Sequence, residues 1–172
     1  LSEGIVQRRI NYLNKYNDKV YKNDIKNVTY ALTLFSLFTE YVSLFSQFYI
    51  LLGFNRHKNL FKDIANIVNY TKVEENLHAE GGFAIINQIR KEYPDVIDQE
   101  FKDRVSNEAI EALAAEEGLI EWMLQGYENE FLNKDILTTY IKNRMNVAIK
   151  KIGINKVFSV DKSILAKTYW MD

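Results

Sequence analysis

"LFTEYVSLFSQFYILLGF", Leu37 to Phe54, is an almost unbroken apolar run with one carboxylate, Glu40, inside it. A charge held in such surroundings is costly unless something compensates it. The wider run Ala31–Gly53 is long enough to resemble a membrane span. Thr33, Ser36, Glu40, Ser43 and Gln47 argue against that, and no flanking charge pattern supports it. On a 100° wheel these five polar residues fall on one narrow stripe, while Leu34, Phe35, Phe38, Phe45 and Phe48 cover much of the remainder. The run therefore reads as a helix buried on most sides of a bundle, with a polar seam that must face something polar inside the protein.

The chain has 172 residues, enough for one domain with a substantial core, and 47% of them are hydrophobic. Lys and Arg number 22 against 23 Asp and Glu, so no basic field invites nucleic acid or an anionic membrane. There is no cysteine, which excludes disulfides, thiolate metal sites and cysteine nucleophiles. That fits a reducing cytosol, no signal peptide is visible at Leu1, and we expect a cytoplasmic chain.

One proline and seven glycines in the whole length argue for an all-α domain. The pattern predicts a helix from Gly4 to about Tyr21 with Ile5, Ile10, Leu13 and Val20 toward the core. A long helix follows from about Asn23 to Leu52, stopped by Gly53 and a turn over "GFNRHKN". A third runs from about Leu60 to Tyr93, with room for a bend at Gly81-Gly82 and a stop at Pro94. Further helices are expected over Ser106–Tyr127, Asn133–Gly153 and Asp161–Trp170. The acidic residues Glu108, Glu111, Glu116, Glu117 and Glu121 read as a solvated face.

The third helix offers Glu40 a partner. "NYTKVEENLHAEGG" contains Glu75-x-x-His78, an i, i+3 pair on one helical face, flanked by the small residues Thr71, Ala79 and Gly82. Carboxylate and imidazole at this spacing are the ligand pair of di-iron and di-manganese bundles. Such a site needs Glu-x-x-His on two helices and a lone carboxylate on each of two others. Only one of each is found here, because His57 has no acid at the required spacing. Taken alone, Glu75 and His78 read more simply as a solvated helical pair. Glu40 alone fits a carboxylate paired with Lys or Arg, or one held protonated.

Three stretches in one order resemble the C-terminal half of the small, radical-generating subunit of class I ribonucleotide reductase. They are "TEYVSLFSQF", then "VEENLHAEGG" about thirty-five residues later, then "LNKDIL" at Leu132–Leu137 on a helix closed by Gly153. The resemblance covers about Gly4 to Trp170 and implies a ferritin-like helical bundle, present as a partial bundle that another chain completes. It makes Glu40, Glu75 and His78 three of six metal ligands. Glu74 matches an acidic position that hydrogen-bonds just outside the ligands, on the route of radical transfer. Leu44, where the family often has Phe, and Phe48 match apolar positions beside the radical site.

The family's first-half ligands and its radical-bearing Tyr have no counterpart here. The resemblance therefore implies a split or cleaved subunit, active only with a companion chain. Together they would bind two metal ions (Fe, or Mn with Fe), react with O₂, and serve a large subunit that reduces ribonucleotides to deoxyribonucleotides. A dimer of the reconstituted unit is expected. Two alternatives are a related ferritin-like dimetal oxidase or hydroxylase, and a non-catalytic helical protein that has lost the metal.

Overall fold

The computed structural model describes residues 2–17 and 24–171, and among these every regular element is helical. In chain order they are α1 (Ser2–Leu13), α2 (Ile25–Leu34), a π-helical segment (Phe35–Glu40), α3 (Phe45–Lys58), α4 (Lys62–Glu92), α5 (Gln99–Leu124), α6 (Lys134–Lys151) and α7 (Lys162–Ala166). Short 3₁₀ turns lie at Asn14–Tyr16, Pro94–Ile97 and Tyr169–Met171. The all-α expectation holds. α1 packs along α5, α3 along α4, and α5 along α6, while α4 also lies against α2 and the π segment. One hydrophobic cluster joins them, with Leu37, Phe45, Tyr49, Phe101, Ile120, Ile141 and Met145 fully enclosed.

Local chemistry sets the helix ends. Asp24, Asp98, Asn133 and Asp161 each accept a backbone N–H of the first turn of α2, α5, α6 and α7. Such caps satisfy donors that the helix itself leaves unpaired. Gly153, at φ +82°, closes α6, while Ile154 N–H donates back to the Ile149 carbonyl at 3.1 Å.

Several boundaries differ from the sequence pattern. Gly53 does not stop α3, because it is a buried packing residue: a Cβ there would stand 3.6 Å from the Phe131 ring and 3.9 Å from Trp170. "GFNRHK" is therefore helix, and the chain turns at Asn59, whose left-handed backbone lets Asn59 N–H reach the Asn55 carbonyl at 2.9 Å. α5 starts seven residues before Ser106, at the stronger cap Asp98. Ser106 sits inside the helix and bonds the Lys102 carbonyl at 2.9 Å. α4 passes through Gly81-Gly82 as one helix. In α1 the core residue is Tyr12, 6% exposed, whereas Ile10 is exposed at 42%. Ile5 and Leu13 are half-buried, and Val20 falls outside the described residues.

The acidic cluster on α5 also needs correction. Glu108 and Glu111 pair with Lys15, Glu117 with Lys142 and Glu121 with Lys134, as a solvated face would. Glu116 is instead fully buried. Its carboxylate accepts from Arg9 Nε at 3.1 Å and from the Tyr12 hydroxyl, tying α1 to α5. Burial pushes its pKa up to about 6, with Arg9 and the Tyr12 hydrogen bond opposing. Its register was visible in advance, since Glu116 shares the apolar spacing of Ala109, Ala112, Leu113 and Ile120.

The helical segment Ile25–Lys58 is long and apolar enough to cross a membrane, but most of its apolar part is buried among the other helices. It reads as a core helix, in line with the sequence expectation.

Candidate metal centre

Glu40 is the last residue of the π segment that interrupts this long helical run. Ser43 N–H reaches five residues back to the Phe38 carbonyl at 2.9 Å, and the Ser43 hydroxyl donates to the Thr39 carbonyl at 2.7 Å. A wider turn of this kind rotates every later side chain off the regular wheel, and π turns occur frequently at functional sites. The single polar stripe read from the sequence is therefore split. Thr33, Ser36 and Ser43 are buried, Glu40 faces α4, and Gln47 instead meets Arg9 of α1.

α4 approaches this segment closely because Gly82 has no side chain. A Cβ at Gly82 would stand 2.7 Å from Ser36 Cβ, and closer still to its hydroxyl, which no real contact tolerates. Ser36 precedes Glu40 by four residues and Gly82 follows His78 by four. The tight crossing thus sits one turn from the place where the carboxylate meets the Glu75/His78 pair.

There the three side chains converge. His78 Nδ1 lies 3.2 Å from Glu40 Oε2, and one ligand atom from each of Glu40, Glu75 and His78 lies within 4.8 Å of the others. Glu40 is well buried, with 12% of its side chain exposed, while the His78 side chain is 62% exposed. The Glu75 pKa is pushed up to about 7, first by burial, then by hydrogen bonding to Glu40 and the charge of Glu40; His78 opposes and Glu74 adds a little. Two carboxyl groups held this close are a place where a cation would neutralise both. Two carboxylates and an imidazole are also the donor types favoured by iron and manganese ions. On both counts the residues fit the metal that the sequence pattern implies.

The remaining sequence candidates are placed as follows. Glu74 is exposed on α4, outside the three-ligand set, and reaches it through its charge on Glu75. Phe48 is buried and packs edge-on to Phe45, and Leu44 is half-buried against the same core. His57 sits in the last turn of α3, stacked on Phe131 at 4.4 Å, and takes no part in the cluster.

One residue had not been singled out. Arg144 on α6 is 6% exposed, and its Nε donates to the Tyr41 carbonyl at 2.7 Å. Its Nη2 donates to Asn76 Oδ1 at 2.8 Å, and the guanidinium stacks 3.3 Å over the Phe45 ring. Tyr41 follows Glu40 and Asn76 follows Glu75, so one buried guanidinium links the backbone beside Glu40 to the side chain beside Glu75. Its signal in the sequence was an arginine amid the buried residues Ile141, Met145 and Ala148.

Comparison with known proteins identifies the family. The sequence pattern of the family "Ribonucleotide reductase, small chain" matches residues 2–164. The chain belongs to that family. It is 27% identical over 141 residues to the probable ribonucleoside-diphosphate reductase small subunit 048L of Invertebrate iridescent virus 3, covering 81% of this chain and 37% of the relative. It is 29% identical over 128 residues to small subunit 376L of Invertebrate iridescent virus 6, covering 72% of this chain and 35% of that relative. The chain thus spans little more than a third of the length of these relatives. Among solved structures, a putative class I ribonucleotide reductase from Bacillus halodurans superposes with a TM-score of 0.80 at 18% identity, over 89% of this chain and 48% of that one. The helical fold is that of the ferritin-like small subunits.

Proposed function

We propose that this chain is the C-terminal part of a class I ribonucleotide reductase small subunit and supplies half of its dimetal centre. The convergence of Glu40, Glu75 and His78 carries this reading. A companion chain with the rest of the small subunit supplies the other ligands and the radical-bearing Tyr. The expected ions are iron, or manganese with iron. When bound, they would react with O₂ to give the oxidant used by a large subunit to turn ribonucleotides into deoxyribonucleotides.

The residues of this chain have four tasks. Glu40 and Glu75 provide charge that neutralises the cations, and His78 provides the nitrogen donor. The Gly82–Ser36 crossing and Arg144 fix the spacing of the two ligand-bearing helices. Leu44 and Phe48 would line the apolar pocket beside the radical site. Glu74 stands at the edge of the cluster, where it can accept a hydrogen bond from a ligand on the companion chain. The reconstituted unit is taken to be cytoplasmic and to pair as a dimer.

The test is to copurify the chain with its neighbouring polypeptides, identify the companion, and assay deoxyribonucleotide formation with the large subunit. Activity that needs both chains, and disappears in Glu40→Ala, supports the proposal. A complex without near-stoichiometric iron or manganese refutes it.

A further inference from the structure

The turn that carries Glu40 breaks the regular hydrogen-bond ladder. In an α-helix the Thr39 carbonyl would accept the N–H of Ser43. That N–H instead goes to the Phe38 carbonyl at 2.9 Å, and the Ser43 hydroxyl takes its place on Thr39 at 2.7 Å. A regular helix through the same residues would swing Glu40 by about 100°, one residue's step, relative to α3. The wide turn must therefore be held against the regular one if Glu40 is to face His78.

A largely buried line of polar side chains reaches this turn from outside it. The orientation of the Gln47 carboxamide that satisfies both its ends has the nitrogen donating to the Ser43 carbonyl at 3.0 Å and the Leu44 carbonyl at 2.9 Å. Its oxygen then accepts from Arg9 Nη1 at 2.9 Å. Arg9 Nε donates to Glu116 Oε1 at 3.1 Å, and the Tyr12 hydroxyl donates to the same oxygen. Glu116 is fully buried on α5, while Arg9 and Tyr12 belong to α1. The N–H, hydroxyl and carbonyl of Ser43 are thus all engaged, the last through a line that begins on α5. A buried carboxylate–guanidinium pair adds little stability of itself, because desolvation offsets much of the attraction. What its rigid fork supplies is direction, and here it points at the turn.

We propose that Glu116, Arg9 and Gln47 are positioning residues for the candidate metal centre. Together they pin the wide turn from α5 through α1 and so keep Glu40 aimed at His78. They act through the backbone just after Glu40. The proposal rests on the reading of Glu40 as a metal ligand.

Gln47→Met keeps length and apolar volume but removes both donors and the acceptor. Arg9→Lys keeps the charge beside Glu116 but loses the fork that also reaches Gln47. Amide hydrogen exchange of the metal-free chain and Co²⁺ titration of the same samples test the proposal. In each variant the Ser43 N–H should exchange at least about tenfold faster, while the Met145 N–H inside α6 keeps its rate. Co²⁺ should bind about tenfold more weakly, with far-ultraviolet circular dichroism unchanged. The two losses of Co²⁺ affinity should be less than additive in the double variant, since both cut one line. Ser43 exchange that is unchanged, or that rises only as much as Met145 exchange, overturns the hold on the turn whatever the metal does. A loosened turn with wild-type Co²⁺ affinity overturns the positioning of Glu40. A wild-type chain that binds no Co²⁺ overturns the ligand reading, and the positioning role with it, even where Ser43 responds as expected.

Discussion

Replacing Gly82 with alanine sets two forces against each other. Inside a helix, alanine is better than glycine by about 0.5–1 kcal/mol. At Gly82, however, the new methyl would stand 2.7 Å from Ser36 Cβ, so α4 and the π segment must part by roughly 0.7 Å to reach an ordinary contact near 3.4 Å. Overpacking of this kind costs about 1–3 kcal/mol. The net loss is on the order of 1–2 kcal/mol, or about 2–8 °C in Tm for a chain of this size. Gly81 is the internal control, since a Cβ there meets nothing within 4 Å. Gly81→Ala should raise stability by about 0.5–1 kcal/mol. The assay is thermal unfolding of the metal-free chain followed by circular dichroism. Ser36→Gly combined with Gly82→Ala should recover part of the loss, giving a favourable coupling in the double-mutant cycle. Equal stability of the two single alanine variants, or no coupling with Ser36→Gly, would refute the close crossing as the spacer of the ligand-bearing helices.

Two further predictions concern buried charges. The Glu116 pKa, raised from 4.5 to about 6, means the folded state holds this proton more tightly than the unfolded chain. The stabilising contribution is full below pH 4.5 and is lost as pH rises through about 6, a change of roughly 2 kcal/mol. The stability difference between wild type and Glu116→Gln, measured by urea unfolding from pH 4 to 7.5, should therefore shift by about that amount; a pH-independent difference would contradict it. Arg144→Lys keeps the charge but cannot span the Tyr41 carbonyl and Asn76 together, and should lose roughly 2 kcal/mol of stability. A variant as stable as wild type in the same unfolding assay would show that the tie is not held in solution.

The meeting of Glu40 with Glu75 and His78 was legible because metal-ligand chemistry constrains residue type and spacing. An acid in an apolar helix and a Glu-x-x-His on the next helix needed only the helical repeat to be brought together. Features that depend on tertiary contact were not legible. Gly53 has the residue type of a helix stop, but its role as a gap for Phe131 and Trp170 exists only after packing. The π turn leaves no mark in the apolar periodicity, so the stripe through Gln47 looked continuous when Gln47 in fact turns to Arg9. Glu116 was grouped with its neighbours by charge, although its register with Leu113 and Ile120 already placed it inside.

The assignment of Glu40, Glu75 and His78 as ligands is tested most directly by a Co²⁺ titration, read by visible absorption and metal analysis. The wild-type chain is compared with Glu40→Ala, Glu75→Ala and His78→Ala. Carboxylate and imidazole ligation predicts a bound Co²⁺ signal in the wild type that is lost in each variant while helical content is kept. No bound Co²⁺ in the wild type, or binding unchanged in all three variants, would contradict the half-site.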